Sequence, residues 1–209
     1  MKTTSLIIFL SCLLFTFSSN FFLGTSQILP EAVLDTSGQQ LRRGVNYYIL
    51  PANRRNGGGL TLANGRNGSC PYEIVQALNQ GANGLPLRFS PINNDSIIRE
   101  NTDNNIWFVN FSSPIVCPQS NVWQLVADGE SPPPYFVTIG GVEGNPGRDT
   151  LPNWFQIQKY EDAYQIVYCP NIPCQPCRVL CGNIGIFVDN GRRRLAINQP
   201  PFKVVFRRA

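Results

Sequence analysis

Histidine is absent from all 209 residues of this chain. That absence excludes Ser-His-Asp and Cys-His nucleophilic machinery and every metal site that needs an imidazole. Charge is scarce as well, at 14% of residues. Past the N-terminus no run is long and apolar enough to cross a bilayer. Helical patterning is also missing, because 18 glycines, 17 prolines and frequent asparagines interrupt the chain too often. The catalytic scheme left open is a carboxylate pair of the glycosidase kind. Its candidates, Asp95, Glu100, Asp103, Glu161 and Asp162, stand in polar turns without apolar flanks, where solvated loop charge is the better account. The chain is therefore expected to be no enzyme and to carry neither cofactor nor metal.

What is present begins with a leader. Lys2 precedes an apolar stretch from Leu6 to Phe17, and the small residues Gly24 and Ser26 offer a cleavage site. Residues 1–26 read as a signal peptide and 27–209 as one secreted or vacuolar domain. Loss of Lys2 leaves 16 basic against 13 acidic residues, a mild excess. Most basic residues are arginines in clusters, at Arg42-Arg43, Arg54-Arg55, Arg192-Arg193-Arg194 and Arg207-Arg208. Such clusters can face phosphates, but the secretory route argues against nucleic acid, and solvated hairpin ends are the expected role.

Short runs rich in Val, Ile, Tyr, Phe and Trp recur along the chain. They fall at 46–50, 59–62, 73–76, 87–90, 97–100, 105–111, 122–126, 135–139, 154–159, 164–168, 184–188, 194–197 and 203–206. Turn signals such as Asn56-Gly57-Gly58, Asn83-Gly84 and Asn190-Gly191 separate them. About a dozen strands in one domain imply a closed or nearly closed all-β architecture, but periodicity does not choose between sandwich, barrel and trefoil. The aromatics Tyr47, Tyr48, Trp107, Trp123, Trp154 and Phe155 alternate with polar residues and are expected in the core rather than on a sugar-binding face. Pro132-Pro133-Pro134 reads as a stiff connector.

Cys12 departs with the leader, so six cysteines remain: Cys70, Cys117, Cys169, Cys174, Cys177 and Cys181. Six allow fifteen pairings, and the sequence picks none. The last four could instead form a four-thiolate zinc site, and Cys174-Gln175-Pro176-Cys177 a redox pair. A secreted context favours structural disulfides over both.

One set of motifs runs through the whole chain in order. It opens with Val33-Leu34-Asp35-Thr36-Ser37-Gly38 and Asn46-Tyr47-Tyr48-Ile49, followed by Gly57-Gly58-Gly59-Leu60 and Cys70-Pro71. Gly140-Gly141-Val142-Glu143-Gly144-Asn145-Pro146-Gly147, Trp154-Phe155, Tyr168-Cys169-Pro170 and Arg192-Arg193-Arg194-Leu195-Ala196 complete it. These residues resemble the plant Kunitz (soybean trypsin inhibitor) family, and the cysteine layout its miraculin-like branch. Ser37 departs from the family pattern.

The resemblance implies a disulfide-linked β-trefoil of about twelve strands and the pairs Cys70–Cys117, Cys169–Cys181 and Cys174–Cys177. It also implies a monomeric inhibitor whose partner is a serine peptidase or, alternatively, a papain-type cysteine peptidase. An exposed, extended, pre-ordered loop would enter the active site like a substrate. Counted from Cys70 and anchored on Phe108, the resemblance puts that loop at Pro91-Ile92-Asn93-Asn94-Asp95-Ser96-Ile97, with Asn94 in the primary pocket, Asp95 after the scissile bond and Arg43 at the supporting position. Trypsin's pocket holds a buried carboxylate that wants Lys or Arg, so neutral Asn94 argues against tight trypsin inhibition. A non-inhibitory storage, defence or recognition protein is the alternative, and a carbohydrate-binding trefoil a third.

Asn94-Asp95-Ser96 is also a glycosylation sequon, as are Asn67-Gly68-Ser69 and Asn110-Phe111-Ser112. A glycan on Asn94 would obstruct a protease cleft. The arginine-bearing turns at 52–56, 64–67 and 189–194 are further contact candidates, each more simply read as a soluble hairpin tip.

Overall fold

The computed structural model describes residues 29–65, 70–109, 120–129, 134–172 and 180–209. Twelve strands run in chain order. They are β1 (Tyr47–Pro51), β2 (Leu60–Ala63), β3 (Glu73–Gln76), β4 (Leu87–Pro91), β5 (Asp103–Phe108) and β6 (Trp123–Ala127), then β7 (Tyr135–Ile139), β8 (Phe155–Tyr160), β9 (Ala163–Tyr168), β10 (Gly182–Asp189), β11 (Arg192–Ile197) and β12 (Val204–Arg208). The only helical pieces among the described residues are short 3-10 turns at Arg54–Asn56 and Arg148–Asn153.

The pairing is that of a β-trefoil. Strands β12, β1, β4, β5, β8 and β9 pair in that order, and β9 returns to β12, which closes a six-stranded barrel. The hairpins β2–β3, β6–β7 and β10–β11 lie across one end as a cap, where β3, β7 and β11 pair with one another. Each third of the chain gives its outer strands to the barrel and its inner hairpin to the cap.

Period-two patterning explains the barrel. In β4, Leu87 and Phe89 are buried while Arg88 and Ser90 are half-buried, and β12 alternates likewise with Val204 and Phe206 inside. Phe206 meets Phe89 and Tyr164 at ring separations of 5.6 Å. Toward the cap, Trp123 packs on Phe108 at 6.0 Å and on Phe155 at 5.8 Å. On the outer face, registered cross-strand pairs place Arg88 over Trp107 and Arg207 over Tyr48. The Asn190-Gly191 hairpin forms with both residues at positive φ, 48° and 80°. Gly59 has another reason to be glycine: a methyl there would overlap the Asn83 carbonyl.

One of the thirteen apolar runs is not a strand. Residues 97–100 make only isolated bridges, Ile97 to Arg42 and Arg99 to Ala32, before Asn101 turns left-handed at φ 54°. The segment bonds instead to the irregular chain before β1, Ile98 N donating to Leu41 O and Glu100 N to Glu31 O, where Asp35 caps a turn through Ser37 and Gln39.

Cys169 and Cys181 are joined, tying the end of β9 to the start of β10. That bond removes two of the four thiolates from the zinc reading. Cys70 is also disulfide-bonded. Its expected partner Cys117 lies outside the described residues, as do Cys174, Cys177, the leader, Asn67, Asn110, Arg66, Pro132 and Pro133.

Candidate functional site

Between β4 and β5, where the first third of the trefoil passes to the second, the chain makes a short projecting loop. Buried Pro91 ends β4 opposite Asn104, and Ile92 N donates to Asp103 O at 2.9 Å. Asn94 N then donates to Pro91 O at 3.0 Å and closes a β-turn with Asn93 and Asn94 exposed at its tip. Asn93 Oδ1 accepts from Asp95 N at 3.1 Å, and Asp95 Oδ1 from Ile97 N at 3.2 Å. These side chains act as local turn closers. Arg99 Nε donates to Asp95 Oδ2 at 3.0 Å while its Nη1 donates to Pro30 O.

The descending limb is anchored by the chain before β1. Arg43 N donates to Ser96 O at 3.0 Å and Ile98 N to Leu41 O at 2.9 Å, with Ile98, Leu41 and Val33 all fully buried beneath. The supporting position is thus occupied by the Arg43 backbone. Its side chain is exposed and makes no hydrogen bond or ion pair among the described residues. Under the loop lies a groove of about 390 Å³, with Arg43, Asn94 and Trp154 on its walls. Ser90 Oγ donates to Glu143 across it, and Asn105 Oδ1 accepts from Gly144 N at 2.7 Å. The Gly-rich motif at 140–147 is therefore the loop's neighbour in space. Ser90, Arg99, Asn105 and Glu143 were missed by reading the chain for site residues. Only the polar break before Ile106-Trp107-Phe108 hinted at Asn105.

The tip is a turn and not the extended segment expected. Asn94 sits at φ 57°, in the left-handed region that asparagine tolerates better than other non-glycine residues. The cause is local: the Pro91–Asn94 turn and the two side-chain closures leave no room for an extended path.

Arg99 beside Asp95, with help from the Ile97 amide, holds the Asp95 carboxyl below its ordinary value of 3.8. A carboxyl whose folded pKa is depressed contributes order above the ordinary pKa and loses it as pH falls through the lower one. Resistance of the 91–97 loop to limited proteolysis is therefore expected to stay flat from neutral pH down to the ordinary value, and to fall only below it. Asp95→Ala should raise the cleavage rate several-fold at neutral pH without moving the global melting curve. Equal cleavage rates for the two proteins would show that Asp95 does not order the tip.

The remaining candidates play structural parts. Asp103 is not in a polar turn: it opens β5, is 4% exposed, and burial pushes its carboxyl up. Its oxygens accept from Gln156 Nε2 at 2.9 Å and Asn171 N at 2.8 Å, bracing the segment after Cys169. Nearby Tyr168 is pushed up to about 12, by burial first and then by Asp103. Burial also raises Glu100. Glu161 and Asp162 hold Lys203, whose ammonium is stabilised in turn and whose pKa is raised. Among the described residues no group of three His, Cys, Asp or Glu side chains is placed to hold a metal.

The turn at 189–194 is exposed at its tip, Asn190 to Arg192, but not at its base. Arg194 is 5% exposed, bonded to Asp189 at 2.9 Å and to Glu73 at 3.0 Å, with its guanidinium 3.4 Å over the Phe136 ring. Arg193 donates to Gln76 and to Asn56 O, and Arg192 to Asn64 O. These contacts draw the 52–56 and 64–65 turns into the same lattice. Arg55 alone in that region is an exposed arginine whose guanidinium has no partner among the described residues, its backbone being held by Asn53 and Gln80. Trp123, Trp154, Phe155 and Tyr47 are buried in the core as expected, but Tyr48 and Trp107 are half-buried on the outer face of the barrel, where Arg207 and Arg88 stack on them.

Comparison with known proteins then decides the ancestry. The legume Kunitz family model, described as trypsin and protease inhibitor, matches residues 33–208. The chain belongs to the legume Kunitz family. A relative called Kunitz trypsin inhibitor 5, from Arabidopsis thaliana, is 42% identical over 88% of this chain and 89% of its own. Miraculin from Synsepalum dulcificum is also 42% identical, over 97% and 94%. Among solved structures, a Kunitz-type cysteine protease inhibitor from potato superposes with a TM-score of 0.72 at 30% identity, covering 87% of this chain and 98% of that one. In this Kunitz chain the expected inhibitory segment 91–97 is the loop between β4 and β5.

Proposed function

We propose that this chain is a secreted or vacuolar peptidase inhibitor that blocks an active-site cleft with the 91–97 loop. The observation that supports it is the anchoring of that loop on both limbs, at Asp103 O, Arg43 N and Leu41 O, with Asn93 and Asn94 left exposed between them. Pre-ordering of this kind removes entropy that a flexible peptide would lose on binding. The chain supplies no covalent chemistry. Left-handed Asn94 turns the following peptide bond off the extended path a substrate takes, which slows cleavage of the bound loop. The Cys169–Cys181 bond agrees with an oxidising route, and a glycan on Asn94 would switch the loop off.

Trypsin is not the proposed target. Asn94 would leave the carboxylate at the base of trypsin's pocket buried without a partner. Titration of the unglycosylated chain against trypsin, chymotrypsin, subtilisin and papain is expected to give stoichiometric inhibition of at least one enzyme and none of trypsin at nanomolar concentrations. Asn94→Arg should strengthen trypsin inhibition at least about thirty-fold, since supplying the missing charge is worth about 2 kcal/mol or more. Nanomolar inhibition of trypsin by the unaltered chain, lost in Asn94→Ala, would overturn this exclusion.

The left-handed Asn94 and the Arg43 position also favour a second reading, a storage or recognition protein that has lost inhibition. Inactivity against the whole panel would select it.

A further inference from the structure

The chemistry of the loop tip narrows the partner, on the reading that 91–97 is the inhibitory loop. The polar side chains of the tip are Asn93, Asn94, Asp95 and Ser96, and two of them close its turns. Asn93 Oδ1 is taken by Asp95 N, and the Asp95 oxygens by Ile97 N and Arg99. The Asn94 carboxamide is exposed and makes no side-chain hydrogen bond among the described residues, and Ser96 beside it adds only a small hydroxyl. The negative charge that follows it in sequence is matched by the Arg99 guanidinium at 3.0 Å. Residues 93–95 therefore offer neither a net charge nor a hydrocarbon, with Ile92 half-buried before them and the Arg43 guanidinium on the groove wall. They offer one neutral amide with an acceptor oxygen and two N–H donors.

Pocket chemistry follows by elimination. An acidic pocket would keep its own carboxylate unpaired against Asn94. An apolar pocket would strip water from the amide and return no hydrogen bond. A pocket lined with both donors and acceptors at amide spacing satisfies all of its polar atoms, and such a pocket rejects side chains that lack the group. We propose that the partner is an endopeptidase specific for asparagine, whose primary pocket receives the Asn94 carboxamide. The left-handed backbone at Asn94 (φ 57°) holds the Asn94–Asp95 bond out of line, so the peptidase is retained and does not cut.

The test uses the full secreted chain made in a bacterial periplasm, where no N-glycan is added, titrated against an asparagine-specific cysteine endopeptidase and against papain. Stoichiometric inhibition of the asparagine-specific enzyme is expected, weakened at least about 100-fold in Asn94→Ala. Papain inhibition should change far less, and the melting temperature should fall by only a few degrees, the cost of alanine at a left-handed position. No inhibition of the asparagine-specific enzyme at micromolar concentrations, with another peptidase still inhibited in a loop-dependent way, overturns the inference and leaves the loop reading intact. Rapid cleavage after Asn94 also overturns it, since the chain would then be a substrate. Asn94→Ala and Asp95→Ala proteins that inhibit every sensitive peptidase as well as the parent would overturn the loop reading itself.

Discussion

Arg194→Ala is expected to cost about 3–5 kcal/mol of stability, the range for removing one partner of a buried ion pair. Arg194 and Glu73 are 5% and 4% exposed, and their 3.0 Å contact joins β11 to β3 in the cap. The same guanidinium also holds Asp189 and covers Phe136. Alanine would leave the Glu73 carboxylate inside the protein with only Arg192, 3.6 Å away, as counter-charge. That residual partner places the expectation near 3 rather than 5 kcal/mol. The double variant Glu73→Gln/Arg194→Met removes both charges at similar volume and should lose clearly less than Arg194→Ala alone. Guanidinium denaturation midpoints at neutral pH measure all three. A single variant within about 0.5 kcal/mol of the parent would mean that the cap does not depend on this pair.

Trp123→Ala should be comparably severe. Trp123 is fully buried where cap meets barrel, against Phe108 and Phe155, and Phe155 continues the contact to Tyr168 at 5.6 Å. Truncating a buried tryptophan to alanine costs about 3–5 kcal/mol, part transfer and part cavity. For a domain of this size the melting temperature should fall by roughly 10 °C. Trp123→Phe discriminates the cause. The indole Nε1 has no hydrogen-bond partner among the described residues, so its removal forfeits only volume and should cost less than half as much. Equal losses for Phe and Ala would point to a polar role for the indole, against the packing account.

These two sites show what the sequence could and could not convey. Trp123 lies in a run of apolar and β-branched residues, and its burial follows from that pattern. The strand runs were legible for the same reason, with 97–100 failing only because its neighbours before β1 are irregular. Barrel closure was not legible from periodicity, because period-two patterning is shared by every sheet with one buried face. It entered through motif resemblance. Arg194 was illegible: three consecutive arginines after a turn look solvated, and nothing local reveals that Glu73 and Asp189 converge on one of them. Asp103-Asn104-Asn105 misled in the same way. Asp103 reads as part of a turn, yet all three residues are buried in β5, where Asp103 and Asn105 serve the remote backbone groups Asn171 N and Asn153 O and Asn104 bonds nearby Thr102 O. The position of the 91–97 loop came from the resemblance, while its shape depends on Asp95 reaching Arg99 and on asparagine's tolerance of positive φ. Neither feature has a period.

The central claim concerns which surface meets the peptidase, and amide hydrogen exchange on the stoichiometric complex tests it most directly. Protection should rise on binding at Asn93, Asn94 and Asp95 and along the groove rim at 143–147, with the Arg54–Asn56 turn and the 189–194 hairpin unchanged. Protection confined to those arginine turns, with 91–97 exchanging as in the free protein, would contradict the account.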